Sequence, residues 1–159
     1  MLRNFPGHEG ELANVDWDGL CAGVRKVHSS WRAKLFKSYA GGWTTTTRMH
    51  ESPTYTCIFG CANEADDWRH YVFCTPLWSI VSQACESQPA DSPWAQIAID
   101  SEFDRDNFLP LVVAFDVYHD TKNRYRSKFL VTPFNVDAEW RRSLVGAASA
   151  ARRSAEVYA

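Results

Sequence analysis

The sequence predicts a mostly α-helical fold: a basic helix near the N-terminus, a helical bundle toward the C-terminus, and a small irregular knuckle between them. Three observations carry this. Leu20, Val24, Val27, Trp31 and Leu35 recur at spacings of three and four, the period of one helix face. The apolar run from Leu109 to Tyr118 is longer than an ordinary strand. Between these, "WTTTTRMHESPTYTCIFGC" has β-branched threonines, a Ser-Pro step and a glycine but no helical period, which argues for an irregular stretch.

Taken in order, residues 1–18 read as a loose lead-in. Residues 19–43 predict one amphipathic helix, with Arg25, Lys26, Arg32 and Lys37 mainly off its apolar stripe and Gly41-Gly42 as its stop. A second helix is expected to begin between Asn63 and Asp67, with Asn63 as a candidate N-cap, and to run to about Glu86, broken or kinked at Pro76. Trp68, Val72, Leu77 and Trp78 would face the core. "SQPADSP", residues 87–93, is the linker candidate, and "WAQIAIDSEF" a short helix. Residues 106–129 predict a helix with Pro110 in its first turn. The segment 132–159 predicts a terminal helix with Trp140, Leu144, Val145 and Ala148 on its inner face. The expected organisation is thus a lead-in (1–18), a basic-helix-plus-knuckle module (19–88) and a helical C-terminal region (94–159).

A chain of 159 residues is one domain, or one domain with a tail. Hydrophobic residues make up 45% of it and aromatics 14%, enough for a packed core and too much for a disordered chain. No stretch is apolar for the roughly 18 residues a membrane helix needs, and the first residues lack a signal-peptide core. The expected location is therefore intracellular, cytoplasmic or nuclear, with no secretion and no membrane partner. In a reducing compartment, clustered cysteines point to metal ligation more than to disulfides.

The net charge of −2 conceals an asymmetry. Gly19 to His50 holds six basic residues and no acid, and Glu51 to Asn107 holds ten acids against Arg69 and Arg105. Arg25, Arg32, Lys34, Lys37 and Arg48 are candidate phosphate contacts. Trp43 and His50 are candidates for stacking on unpaired bases. The competing account is that the bases solvate the outer face of an amphipathic helix and that Trp43 is core.

The densest chemistry lies in "CIFGCANEADDWRHYVFC", residues 57–74. Its spacing is Cys57-x3-Cys61-x8-His70-x3-Cys74. Three thiolates and one imidazole are a tetrahedral zinc set. Cys57 and Cys61 flank a turn, and His70 and Cys74, at i and i+4, would share one helix face. Four protein ligands leave no open position for water, so Zn²⁺ here would be structural, and no catalytic residue is expected. Buried core thiols and an ordinary hydrogen-bonded histidine are the alternative. Cys21 and Cys85 stand outside the pattern as core thiols.

From "SSWRAKLFKSY" through "HYVFCTPLW", residues 29–78, the chain resembles the C-terminal zinc-binding (CCHC) region of non-LTR, LINE-type retrotransposon reverse transcriptases. Cys57, Cys61, His70 and Cys74 fill the four ligand positions, Leu77-Trp78 matches the trailing pair, and the basic segment precedes them. The resemblance implies a non-catalytic module that binds single-stranded RNA or DNA, with a full-length reverse transcriptase in trans as a partner. The competing reading is a zinc-stapled structural or protein-interaction domain with no nucleic-acid role, in which the bases serve solubility. The polymerase's Tyr-x-Asp-Asp turn is missing, since Asp66-Asp67 precedes Trp68 inside the knuckle. Asp116 and Asp120 could hold Mg²⁺ for a nuclease, but a solvated helix face accounts for them better.

Overall fold

The computed structural model describes residues 5, 7–88, 90–99, 103, 105–129 and 137–157, apart from the side chains of 126–129. Parts of the lead-in (1–4 and 6), the linker (89), the stretch after Trp94 (100–102) and the start of the terminal segment (132–136) lie outside them. The described residues are mostly helical: α1 (Glu9–Leu12), α2 (Trp17–Lys26), α3 (Ser29–Tyr39), α4 (Thr46–Met49), α5 (Trp68–Val72), α6 (Thr75–Cys85), α7 (Pro93–Gln96), α8 (Arg105–Phe129) and α9 (Ala138–Val157). Their one β feature is an antiparallel bridge between Thr56 and Ala65.

The sequence predicts one helix across 19–43, and the structure divides it. Val27 is extended, and the His28 side chain accepts a hydrogen bond from the Ser30 N–H as the N-cap of α3. Serines that compete for backbone groups favour such a start over a helix interior. The apolar stripe survives the break: Leu20, Val24, Trp31 and Leu35 are buried. Thr45 likewise caps the short α4 through the Arg48 N–H, giving a single helical turn within the stretch expected to be extended or irregular.

The expected helix over 63–86 also divides. Asn63 sits in a turn at φ +62°, and the N-cap of α5 is Asp67, whose side chain accepts from Arg69 N–H. The helix then stops at Phe73, and α6 restarts at Thr75 with Pro76 in its first turn. Proline has no N–H for the carbonyl of Val72, and its ring would collide with that carbonyl in a continuous helix. The carbonyls of Tyr71 and Val72 instead accept the Trp78 indole N–H at 2.9 and 3.2 Å. Pro110, by contrast, lies within α8; that helix begins earlier than its apolar run does.

Helices α8 and α9 pack together, α6 packs on both, and α3 lies against α8. One core runs from Phe5 to Ala155, so the knuckle and the C-terminal helices share it. Several buried aromatics are tied at their polar ends, Trp68 Nε1 being an exception: Trp31 donates to Ala155 O at 3.3 Å, Tyr39 to Ile97 O at 3.0 Å and Trp140 to Ile58 O at 3.1 Å. The last bond fastens α9 to the knuckle loop.

A buried polar network sits inside this core. Asp66 is 0% exposed. Its carboxylate accepts from Thr46 N–H at 2.7 Å, Tyr71 O–H at 2.6 Å and Tyr118 O–H at 2.9 Å. The Lys122 ammonium lies 3.7 Å away and also meets Glu51 at 3.4 Å and the Thr44 carbonyl. Burial, and then the Asp66 carboxylate, push both phenols well above their ordinary range, so they stay neutral donors. Removing one partner of a buried ion pair strands the other at a cost of about 3–5 kcal/mol. Asp66→Ala should therefore lose that much in urea unfolding of the metal-loaded chain. Asp67→Ala, which removes only a cap, should lose about 1 kcal/mol. Equal small losses in the two variants would mean that the network does not hold the fold.

Candidate metal centre

The knuckle is built on a pinched loop. Cys57 N–H donates to Glu64 O at 2.8 Å and Asp66 N–H to Tyr55 O at 2.9 Å, drawing the two strands of the loop together. Gly60, at φ +94°, turns the chain between the first two cysteines, a conformation that costs a side-chain-bearing residue dearly, and its N–H closes the turn on Cys57 O at 3.1 Å. Cys74 enters from the other side, at the N-cap of α6. His70 and Cys74 therefore do not share a helix. They converge across the break between α5 and α6, which is a correction to the expected i, i+4 pairing.

The four donors meet. One ligand atom from each of Cys57, Cys61, His70 and Cys74 lies within 4.8 Å of all the others. The Cys74 sulfur is 3.7 Å from that of Cys57 and 3.6 Å from that of Cys61. These are free thiols, since a disulfide would bring two sulfurs to about 2.05 Å. A tetrahedron with metal–sulfur bonds of about 2.3 Å has sulfurs roughly 3.8 Å apart, close to the spacing seen. The arrangement is thus a Cys3His cluster able to hold a metal ion.

The imidazole gives an independent sign. His70 Nδ1 faces the Glu64 carboxylate at 3.5 Å, while Nε2 is buried with no hydrogen-bond partner. A buried polar atom without a partner is costly. A carboxylate behind one nitrogen and an unpartnered second nitrogen among thiols is the usual posture of a metal-ligating histidine.

Charge in the cluster is already sorted. The Cys74 thiol hydrogen-bonds to the Cys57 sulfur, and this outweighs burial, so the Cys57 thiol is pulled down to about 4; the backbone N–H groups of Phe59 and Cys61 contribute. Cys74 moves far up for the same reason, holding the shared proton. Burial, followed by the neighbouring Cys57 charge, lifts Cys61 to about 11. Burial acts downward on His70, but the Cys57 thiolate and the acids Glu64 and Asp67 outweigh it and raise the imidazole.

The predicted nucleic-acid residues divide into two groups. Arg25, Arg32, Lys37, Arg48 and His50 are exposed. Lys34 is half-buried and paired with Asp116 at 2.6 Å. Trp43 is 0% exposed, enclosed by Trp68, Tyr71, Phe115, Tyr118 and His119; its ring offers no face for a base, which corrects that expectation. Asp116 is occupied by Lys34, and Asp120 pairs with Arg124 at 3.1 Å, so the two acids form no vacant carboxylate pair. Glu64 and Asp66 escape sequence reading, because in an acid-rich stretch nothing marks that Asp66 turns inward and that the exposed Glu64 faces His70.

Comparison with family models, with curated proteins and with solved structures finds no match. The site stands on its own geometry.

Metal ligands must be deprotonated to bind. Near neutral pH, Cys57 is already a thiolate, whereas Cys61 and Cys74 hold protons. Loading should therefore release about two protons from thiols and one more wherever His70 is still protonated, so apparent log K should rise by about two to three per pH unit, the steeper slope at lower pH. Calorimetry in buffers of different ionisation enthalpy measures this directly. Affinity that does not change with pH would contradict the ligand set.

Proposed function

We propose that this chain is a non-catalytic, zinc-stapled helical module that contacts single-stranded RNA or DNA through its basic N-terminal helices, alongside a reverse transcriptase supplied in trans. The observation that carries the reading is the convergence of three sulfurs and the unpartnered His70 Nε2 at tetrahedral spacing. Zn²⁺ fits a thiolate–imidazole set because it forms tetrahedral sites without redox chemistry. A closed set of four protein ligands makes the ion a staple, so its binding free energy is folding free energy for residues 55–78.

The nucleic-acid part is supported by Arg25, Arg32, Lys37 and Arg48, all exposed on a stretch free of acids. Because Trp43 is in the core, contact here is with phosphates. The second reading, a zinc-stapled structural or protein-interaction domain, is favoured by the withdrawal of Trp43 and by the neutralisation of Lys34. Salt dependence separates the two.

Fluorescence anisotropy of labelled single strands should show log K falling with log salt by about 0.7 for each phosphate contacted, or about 3 for four contacts. Arg32→Glu with Lys37→Glu, at unchanged zinc content, should weaken binding and flatten the slope by about 1.4. No binding by a zinc-loaded wild type, or a slope unmoved by the two changes, would favour the structural reading.

A further inference from the structure

We propose that the groove between α6 and the α7 turn binds a neutral planar heterocycle bearing N–H donors, in this chain an unpaired nucleobase; the choice of nucleobase rests on the nucleic-acid reading above. The groove measures about 520 Å³, within the roughly 300–1,000 Å³ of small-molecule clefts. Thr75, Ser79, Ser82 and Gln83 line it from one face of α6, at spacings of four, three and one that keep them together on a helix. The opposite face of that helix, with Leu77, Ile80, Val81 and Ala84, is buried. Gln96 closes the groove from α7, and Phe73, 38% exposed and stacked on His8 at 5.2 Å, borders it.

The lining decides the ligand class. None of its side chains is charged, so it has nothing to neutralise a phosphate or a carboxylate and nothing to pair with an amine. Its polar groups are hydroxyls and carboxamides, which read the donor and acceptor edges of a base. The Gln96 carboxamide oxygen is buried and has no hydrogen-bond partner. An N–H from a bound ring, met by a small rotation of that side chain, would satisfy it. The Phe73 ring is already stacked on His8 and edge-on to Phe5 and Trp94, so it adds apolar contact at the edge of the groove and not a free stacking face. Phe73 and Thr75 flank the ligand Cys74 in sequence, so the metal centre fixes one end of the groove.

The test is a titration of the full, zinc-loaded chain with neutral nucleosides, followed by ¹⁵N–¹H spectra. Nucleosides carry no phosphate, so the basic helices give them no attraction. Saturable shifts confined to residues 73–83 and 93–96, including the Gln96 side-chain amide, are expected. Gln96→Leu should weaken binding about fivefold at unchanged zinc content, and the exposed Ser79→Val provides an independent variant. No saturable shift with any nucleoside up to its solubility limit would overturn the groove, as would binding that survives both groove variants at full strength. Nucleoside binding without oligonucleotide binding would uphold the groove and defeat the nucleic-acid reading. Oligonucleotide binding with a silent groove would overturn the groove alone.

Discussion

Everything around residues 55–78 depends on three sulfurs and one imidazole nitrogen being held together in a space with little water. A thiolate has little reason to sit in an apolar interior on its own account. Yet Cys57 and Cys74 are 1% and 0% exposed, with Cys61 beside them, and His70 brings an unpartnered Nε2 to the same point. A metal ion would resolve all of these costs together: it would compensate the thiolate charge, take up the free imidazole nitrogen and hold the sulfurs at their spacing. The backbone N–H groups of Phe59 and Cys61 directed at the Cys57 sulfur and the Glu64 carboxylate behind His70 are the outer layer that orients such ligands.

The centre is anchored to the helices by polar bonds as well as by packing. Trp140 reaches from α9 to the Ile58 carbonyl. Trp78 fills the carbonyls left open where α5 ends. Asp66, one turn of chain before His70, gathers Thr46, Tyr71, Tyr118 and Lys122, so α4, α5 and α8 are coordinated by a single carboxylate. Such networks specify one arrangement strongly when every member is satisfied. The same carboxylate positions α4, which carries Arg48. The knuckle and the basic surface are thereby mechanically connected.

Much of this was legible in the sequence, and what was not has local causes. The four members of the Cys3His cluster could be read from spacing alone, because donor chemistry confines such a set to Cys and His at short separations. The apolar stripes of α2, α3 and α9 could be read because burial imposes a period. Helix boundaries were less legible. The cap at His28, a local bond to the Ser30 N–H, carries no strong sequence signal, whereas Asp67 lies at the edge of the expected start and Pro76, expected to break or kink a helix, separates two. Trp43 shows the limit most plainly: beside a basic segment, a tryptophan that stacks on bases and one that fills a core have the same sequence signature. Only its neighbours from α5 and α8 decide between them. Asp66 and Lys122 were illegible for a similar reason, since a buried ion pair is defined by two residues 56 positions apart.

The most direct test of the account is the metal content of protein purified without added zinc, measured by elemental mass spectrometry on wild type, Cys74→Ser and Cys85→Ser. The cluster geometry predicts about one zinc per chain in the wild type and in Cys85→Ser, and far less in Cys74→Ser. A well-folded wild type free of zinc, or a Cys74→Ser variant that retains it, would contradict the assignment and return the four residues to the core as ordinary thiols and an ordinary histidine.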